Sequence, residues 1–149
     1  MDTKKVISTL NELIETSKDG ENGFRACADG VKDPKLKIVF EEAAGRCAEG
    51  AAELKAKVRS LGGDPETSGS VAGSLHRGWV NVKSAITGKD EAAVLAECER
   101  GEDVAKRSYE GALKKKDLPA DIRTMVERQY QGVKQNHDRV RELRNLARA

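Results

Sequence analysis

Residues Gly62 to Lys89 read GGDPETSGSVAGSLHRGWVNVKSAITGK. The stretch opens on a turn-rich run, GGDPETSGS, continues into VAGSLHRGWVNVKSAIT, which reads as a short helix with a glycine interruption, and closes at GKD. Two long amphipathic segments precede it and two follow, each pair separated by only a few polar residues. A bundle whose helices run up, down, up and down needs only a tight turn in the middle. Here about 28 residues are spent on that connection. The spacing therefore predicts two antiparallel helix hairpins joined by a long crossover, about 62–89, that carries its own short helix.

The flanking segments support this reading. A first helix is expected from Asp2 or Thr3, with Val6, Leu10, Leu13, Phe24, Cys27 and Val31 at steps of three and four. Its middle, SKDGENG, is the weak point, because each interior glycine costs about 1 kcal/mol relative to alanine. DPKL restarts the chain: Asp33 can cap a helix and Pro34 fits its first position, where a missing N–H removes nothing. Leu36, Phe40, Ala43, Cys47, Gly50, Leu54 and Leu61 then share one face, and Gly62-Gly63 stops the helix. A third helix is expected from Asp90, with Leu95, Cys98, Glu102, Ala105, Tyr109 and Ala112 in register. Pro119 marks the start of a fourth, whose inner side carries Ile122, Val126, Val133, His137, Val140 and Leu143. At about 25 residues each, these helices are about 40 Å long.

Composition agrees. The chain has 149 residues, suited to a single domain over 1–149, with 35% charged and only 3% aromatic residues, the profile of an all-α protein. The net charge is +2 and the two signs are interleaved, so neither nucleic acid nor an anionic membrane is implied as a partner. Cys27, Cys47 and Cys98 are three in number and lack a CxxC, which argues for reduced thiols rather than a disulfide framework. The amino-terminal MDTKKVISTLNELIE has no apolar leader run, and no segment is long and apolar enough to span a bilayer, so a cytoplasmic location is expected.

The segment FEEAAGRCAEGAAEL (Phe40 to Leu54) resembles the second helix of rubrerythrin-type proteins. With GSLHRGW on the crossover and GED followed by SY on the third helix, the whole chain resembles a bacterial ferritin-like four-helix-bundle family of unknown function. That resemblance implies the fold. A ferritin-like di-iron centre takes a Glu from each of two helices and Glu-x-x-His from each of the other two. Matched position by position, the first Glu falls on Ser17, the first Glu-x-x-His on Cys47 and Gly50, the second Glu on Glu102, and the last Glu-x-x-His on Lys134 and His137. Only Glu102 and His137 survive. No resident cofactor is therefore expected, and Arg46, Glu102, Lys134 and His137 are read as a polar or ionic core. The alternative is a divergent iron or zinc site that recruits Glu21 to Glu102 and His137.

Two other features stand out. His76, Arg77 and Trp79 form the most distinctive cluster. They read either as a crossover ligand site or, for the lone Trp79, as a packing anchor. Gly45, Gly50, Gly101, Gly111 and Gly132 inside helices suggest close backbone approach or a self-association face. No GxSxG or phosphate-binding loop is present. The functional expectation is a non-enzymatic scaffold or stress-associated interaction protein, partnered by another protein or by itself as a homodimer. A metal-binding protein, an iron oxidase or carrier, is the competing class.

Overall fold

The computed structural model describes residues 1–65, 79 and 81–148. Aspartates set three helix starts. Asp2 Oδ1 accepts from the Lys5 amide at 2.9 Å and opens α1, Thr3–Gly30. Asp33 Oδ1 accepts from the Lys35 amide at 2.8 Å ahead of α2, Pro34–Ser60. A short helix, α3, covers Val82–Thr87. Asp90 then accepts from the Ala92 amide at 3.0 Å and opens α4, Glu91–Leu113, which is followed by α5, Ala120–Arg148. Each capping carboxylate satisfies an amide that the first turn leaves without a partner. Gly62, at φ +83, turns the chain out of α2 in the left-handed conformation that favours glycine.

Pairs of contacts along the helices fix their directions. Lys115 Nζ reaches Thr9 at 2.7 Å, and Cys27 Sγ lies 3.5 Å from Cys98 Sγ, so α1 and α4 are antiparallel. Arg139 reaches Glu42 at 3.4 Å and Lys57 reaches Asp121 at 3.1 Å, so α2 and α5 are antiparallel as well. Within the hairpins α1 packs on α2 and α4 on α5. It follows that α2 and α4 run in the same direction. The end of α2 and the start of α4 therefore lie at opposite ends of the bundle, a distance that a tight turn could not bridge. The all-α bundle expected from the sequence is the one observed, with no strand among the described residues.

Three expectations change in detail. SKDGENG does not interrupt α1. A Cβ at Gly23 would lie 2.4 Å from the Trp79 indole, and one at Gly20 would lie 2.9 Å from Cys47 Sγ, so these glycines receive neighbours. The helix glycines do not mark close backbone approach. Gly45 and Gly111 face open space, and Gly101 makes room for Trp79, whose atoms would lie 2.3 Å from a Cβ there. Finally, α5 begins at Ala120, one residue after Pro119.

Trp79 is buried, meets Phe24 edge-on at 5.1 Å between ring centroids, and so pins the crossover to α1 and α4. His76 and Arg77, named with it as a crossover ligand site, lie outside the described residues. The core divides in two. Phe24, Phe40, Leu95 and Val140 pack around Trp79 in one half, while Leu10, Leu54, Ile122 and Val126 anchor the other. Between these halves lies a polar belt that includes Ser17, Arg46, Glu102 and His137.

Candidate metal centre

The belt is built from one segment of each long helix. Arg46 of α2 donates to Glu102 Oε1 at 3.0 Å, and Asn136 of α5 donates to the same oxygen at 2.8 Å. Burial pushes the Glu102 carboxyl up, while the Arg46 guanidinium and the Asn136 amide act in the opposite direction. Burial also pushes the neighbouring Cys47 thiol up to about 12, which keeps it protonated. Ser17 lies 3.3 Å from the Tyr109 hydroxyl, and Tyr109 donates to Gln129 Oε1 at 2.7 Å. The Tyr109 phenol is likewise pushed up to about 12 by burial.

These residues do not fit a dinuclear iron centre. Ser17, Cys47, Gly50 and Lys134 stand at four of the six ligand positions that the resemblance implies, and the remaining carboxylate, Glu102, already carries a guanidinium inside the bundle. A second cation placed there would face Arg46 in a medium of low dielectric. The cation that occupies the belt is Arg46. Lys134, grouped with the ionic core on sequence, instead sits over the Tyr130 ring, 5.4 Å from its centroid. Glu21 pairs with Arg25 one turn along α1, at 2.6 Å, and is not joined to Glu102 and His137.

The His137 ring nitrogens engage carboxylates other than Glu102. Its Nε2 lies 2.6 Å from Asp103 Oδ1, and its Nδ1 lies 3.2 Å from Asp138 Oδ1. Glu99, one turn before Asp103 on α4, completes a cluster with Asp103 and His137 in which one ligand atom from each lies within 4.8 Å of the others. The His137 side chain is 6% exposed and that of Asp103 45%. Arg144 Nη1 donates to Glu99 Oε1 at 2.7 Å and comes within 2.6 Å of Oε2. The second approach lacks hydrogen-bond alignment, so Glu99 Oε2 is buried with only a charge contact.

Neither Glu99 nor Asp103 was singled out on sequence. Their signal was the four-residue spacing in ERGED, which puts both carboxylates on one face of a helix. Only the register of α5 against α4 brings His137 to that face.

The order of the helices, with parallel α2 and α4 joined by a long crossover, defines a ferritin-like four-helix bundle. Residues 5–115 match the family described as a domain of unknown function, DUF2383, and the chain belongs to that family. The fold is similar to that of a dodecameric thioferritin, the bacterioferritin-related protein from Bacteroides fragilis. The TM-score is 0.79 and the identity 15%, over 99% of this chain and 89% of that one. No curated protein matches. Among the described residues no helix is long and apolar enough to cross a membrane.

Proposed function

We propose that this protein is a divergent ferritin-like metal-binding protein that takes one divalent cation, zinc or ferrous iron, at Glu99, Asp103 and His137. The observation that carries the reading is the convergence of two carboxylates and an imidazole within 4.8 Å on facing helices. An imidazole with carboxylates suits zinc or iron, and three protein ligands leave positions for water. Asp138 at His137 Nδ1 supports the assignment. With an ion at Nε2, the nitrogen facing Asp103, the Nδ1 proton would be accepted by the Asp138 carboxylate. The likeness of Phe40–Leu54 to rubrerythrin-type proteins supports descent from a di-iron bundle whose central site became the Arg46–Glu102 pair. We read the new site as one of binding rather than catalysis.

Elemental analysis after anaerobic incubation with ferrous iron or zinc and removal of the excess tests this directly. About one ion per chain, lost in His137→Ala and in Asp103→Asn, is the expected result. No retained ion in the unaltered protein overturns the reading and returns the bundle to a scaffold or stress-associated interaction role. Self-association is part of the proposal, because the structurally similar thioferritin is dodecameric and Ile38 and Leu146 are 55% and 72% exposed here. Light scattering on a sizing column distinguishes a monomer from a homodimer or a larger assembly.

A further inference from the structure

The polar belt is not filled. A cavity of about 310 Å3 lies within it, lined among others by Ser17, Cys47, Trp79, Glu102, Tyr109 and Val133. Each of the four long helices contributes a glycine to its wall: Gly20, Gly50, Gly101 and Gly132. Glycine is an unfavourable choice in a helix interior. Cys47 and Trp79 account for Gly20 and Gly101 by direct contact, but nothing presses on the other two. A Cβ at Gly50 would meet Gln129 at 3.5 Å and one at Gly132 would meet Arg46 at 3.4 Å, distances a neighbour tolerates. What these two glycines provide is space.

The hydrogen bonds give that space a polarity. Glu53 can only accept, so Gln129 must turn its amide nitrogen to it, at 2.7 Å, and present its carbonyl oxygen to Tyr109. Tyr109 therefore donates to Gln129, and Ser17 donates to Tyr109. The chain of donors runs outward and leaves the Ser17 oxygen as an acceptor at its inner end. The buried charge is paired: Arg46 meets Glu102, Arg128 meets Glu53 at the outer edge, and the one other charged residue of the wall, Glu49, is exposed. An ion entering such a site would lose its hydration without compensation. A volume near 300 Å3 is at the small end of ligand pockets.

We propose that this cavity binds a small neutral amphipathic molecule of one or two rings, with an O–H or N–H donor directed to Ser17 and an apolar body against Trp79 and Val133. The site is independent of the cation site at His137, which does not line the cavity.

The test uses phenol, toluene, benzoate and benzylamine as probes on the full chain, read by backbone amide NMR shifts and by fluorescence of Trp79, the single tryptophan. Phenol is expected to bind saturably at one site, shifting the signals of Ser17 and Tyr109, and about tenfold more tightly than either charged probe. Ser17→Ala should abolish the preference for phenol over toluene. The double variant Gly50→Ala/Gly132→Ala should melt higher than the unaltered protein yet bind phenol about tenfold more weakly. Gly45→Ala and Gly111→Ala, whose Cβ atoms would meet nothing within 4 Å, should melt higher and bind phenol unchanged. Absence of saturable phenol binding, tighter binding of a charged probe, or undiminished affinity in the double variant overturns the proposal.

Discussion

Arg46 on α2 and Glu102 on α4 meet at 3.0 Å across the middle of the bundle, between two helices that run in the same direction. The contact is diagonal and spans the place where a ferritin-like protein would gather carboxylates around metal. The Glu102 side chain is only 3% exposed and that of Arg46 31%, so the carboxylate depends on its partner while the guanidinium retains access to water.

That asymmetry gives the first prediction. Arg46→Ala strands a buried carboxylate and should cost about 2 kcal/mol, below the usual loss for a buried pair because water reaches one end. Arg46→Met combined with Glu102→Gln should recover most of that loss. Urea denaturation of the single and double variants checks both statements, and a neutral Arg46→Ala would refute the dependence.

Arg144 competes for Glu99. Its guanidinium approaches Glu99 Oε2 at 2.6 Å, so a metal ion must displace a cation as well as bind. Arg144→Gln should raise zinc affinity about tenfold while leaving stoichiometry unchanged. Calorimetric titration reads both quantities. Weaker binding in this variant would mean that Arg144 holds Glu99 in place for the metal rather than against it.

Trp79 occupies a slot that exists because two helices lack a side chain there. Gly23→Ala and Gly101→Ala would each place a Cβ within 2.4 Å of the indole and should destabilise by about 1–3 kcal/mol through overpacking. The indole should then move toward water. A lower thermal midpoint together with red-shifted tryptophan emission is the expected outcome, and unchanged emission would show that the slot relaxes around the added methyl.

Stability should fall at alkaline pH. In the folded chain the Cys47 thiol and Tyr109 phenol are pushed up to about 12, from ordinary values of 9.0 and 10.0. Above pH 9.0 the unfolded chain loses these protons first, so the folded state binds more protons and stability declines as pH rises. The contribution is complete below 9.0 and is lost toward about 12, with a slope of about 1.4 kcal/mol per pH unit for each group. Chemical denaturation as a function of pH should show a shallower decline in Cys47→Ala and in Tyr109→Phe. An identical slope in all three proteins would place the loss elsewhere.

Periodicity and helix caps were local, and the sequence by itself determined them. Val6, Leu10 and Leu13, or Ile122, Val126 and Val133, lie on one face because a helix has 3.6 residues per turn, whatever surrounds it. Asp2, Asp33 and Asp90 cap because their carboxylates reach amides two or three residues ahead. The length of Gly62–Lys89 set the topology, since only a connection of that size can join helices that run in parallel. That Ser17, Cys47, Gly50 and Lys134 stand where the resemblance implies di-iron ligands was likewise legible.

Pairing across helices was decided only by the tertiary structure. Glu102 and His137 are on inward faces, yet a rotation of one residue along α4 gives His137 to Asp103 and Glu102 to Arg46. Glu21, four residues from Ser17, is held by Arg25 on the same helix, and Lys134 is taken by the ring of Tyr130. The glycines divided in the same way into those that receive Trp79 or Cys47, those that open the cavity and those that face water. Helical period fixes a side chain's direction to within a turn, but ligand and hydrogen-bond geometry is settled over ångströms, and that last distance is set by how four helices pack.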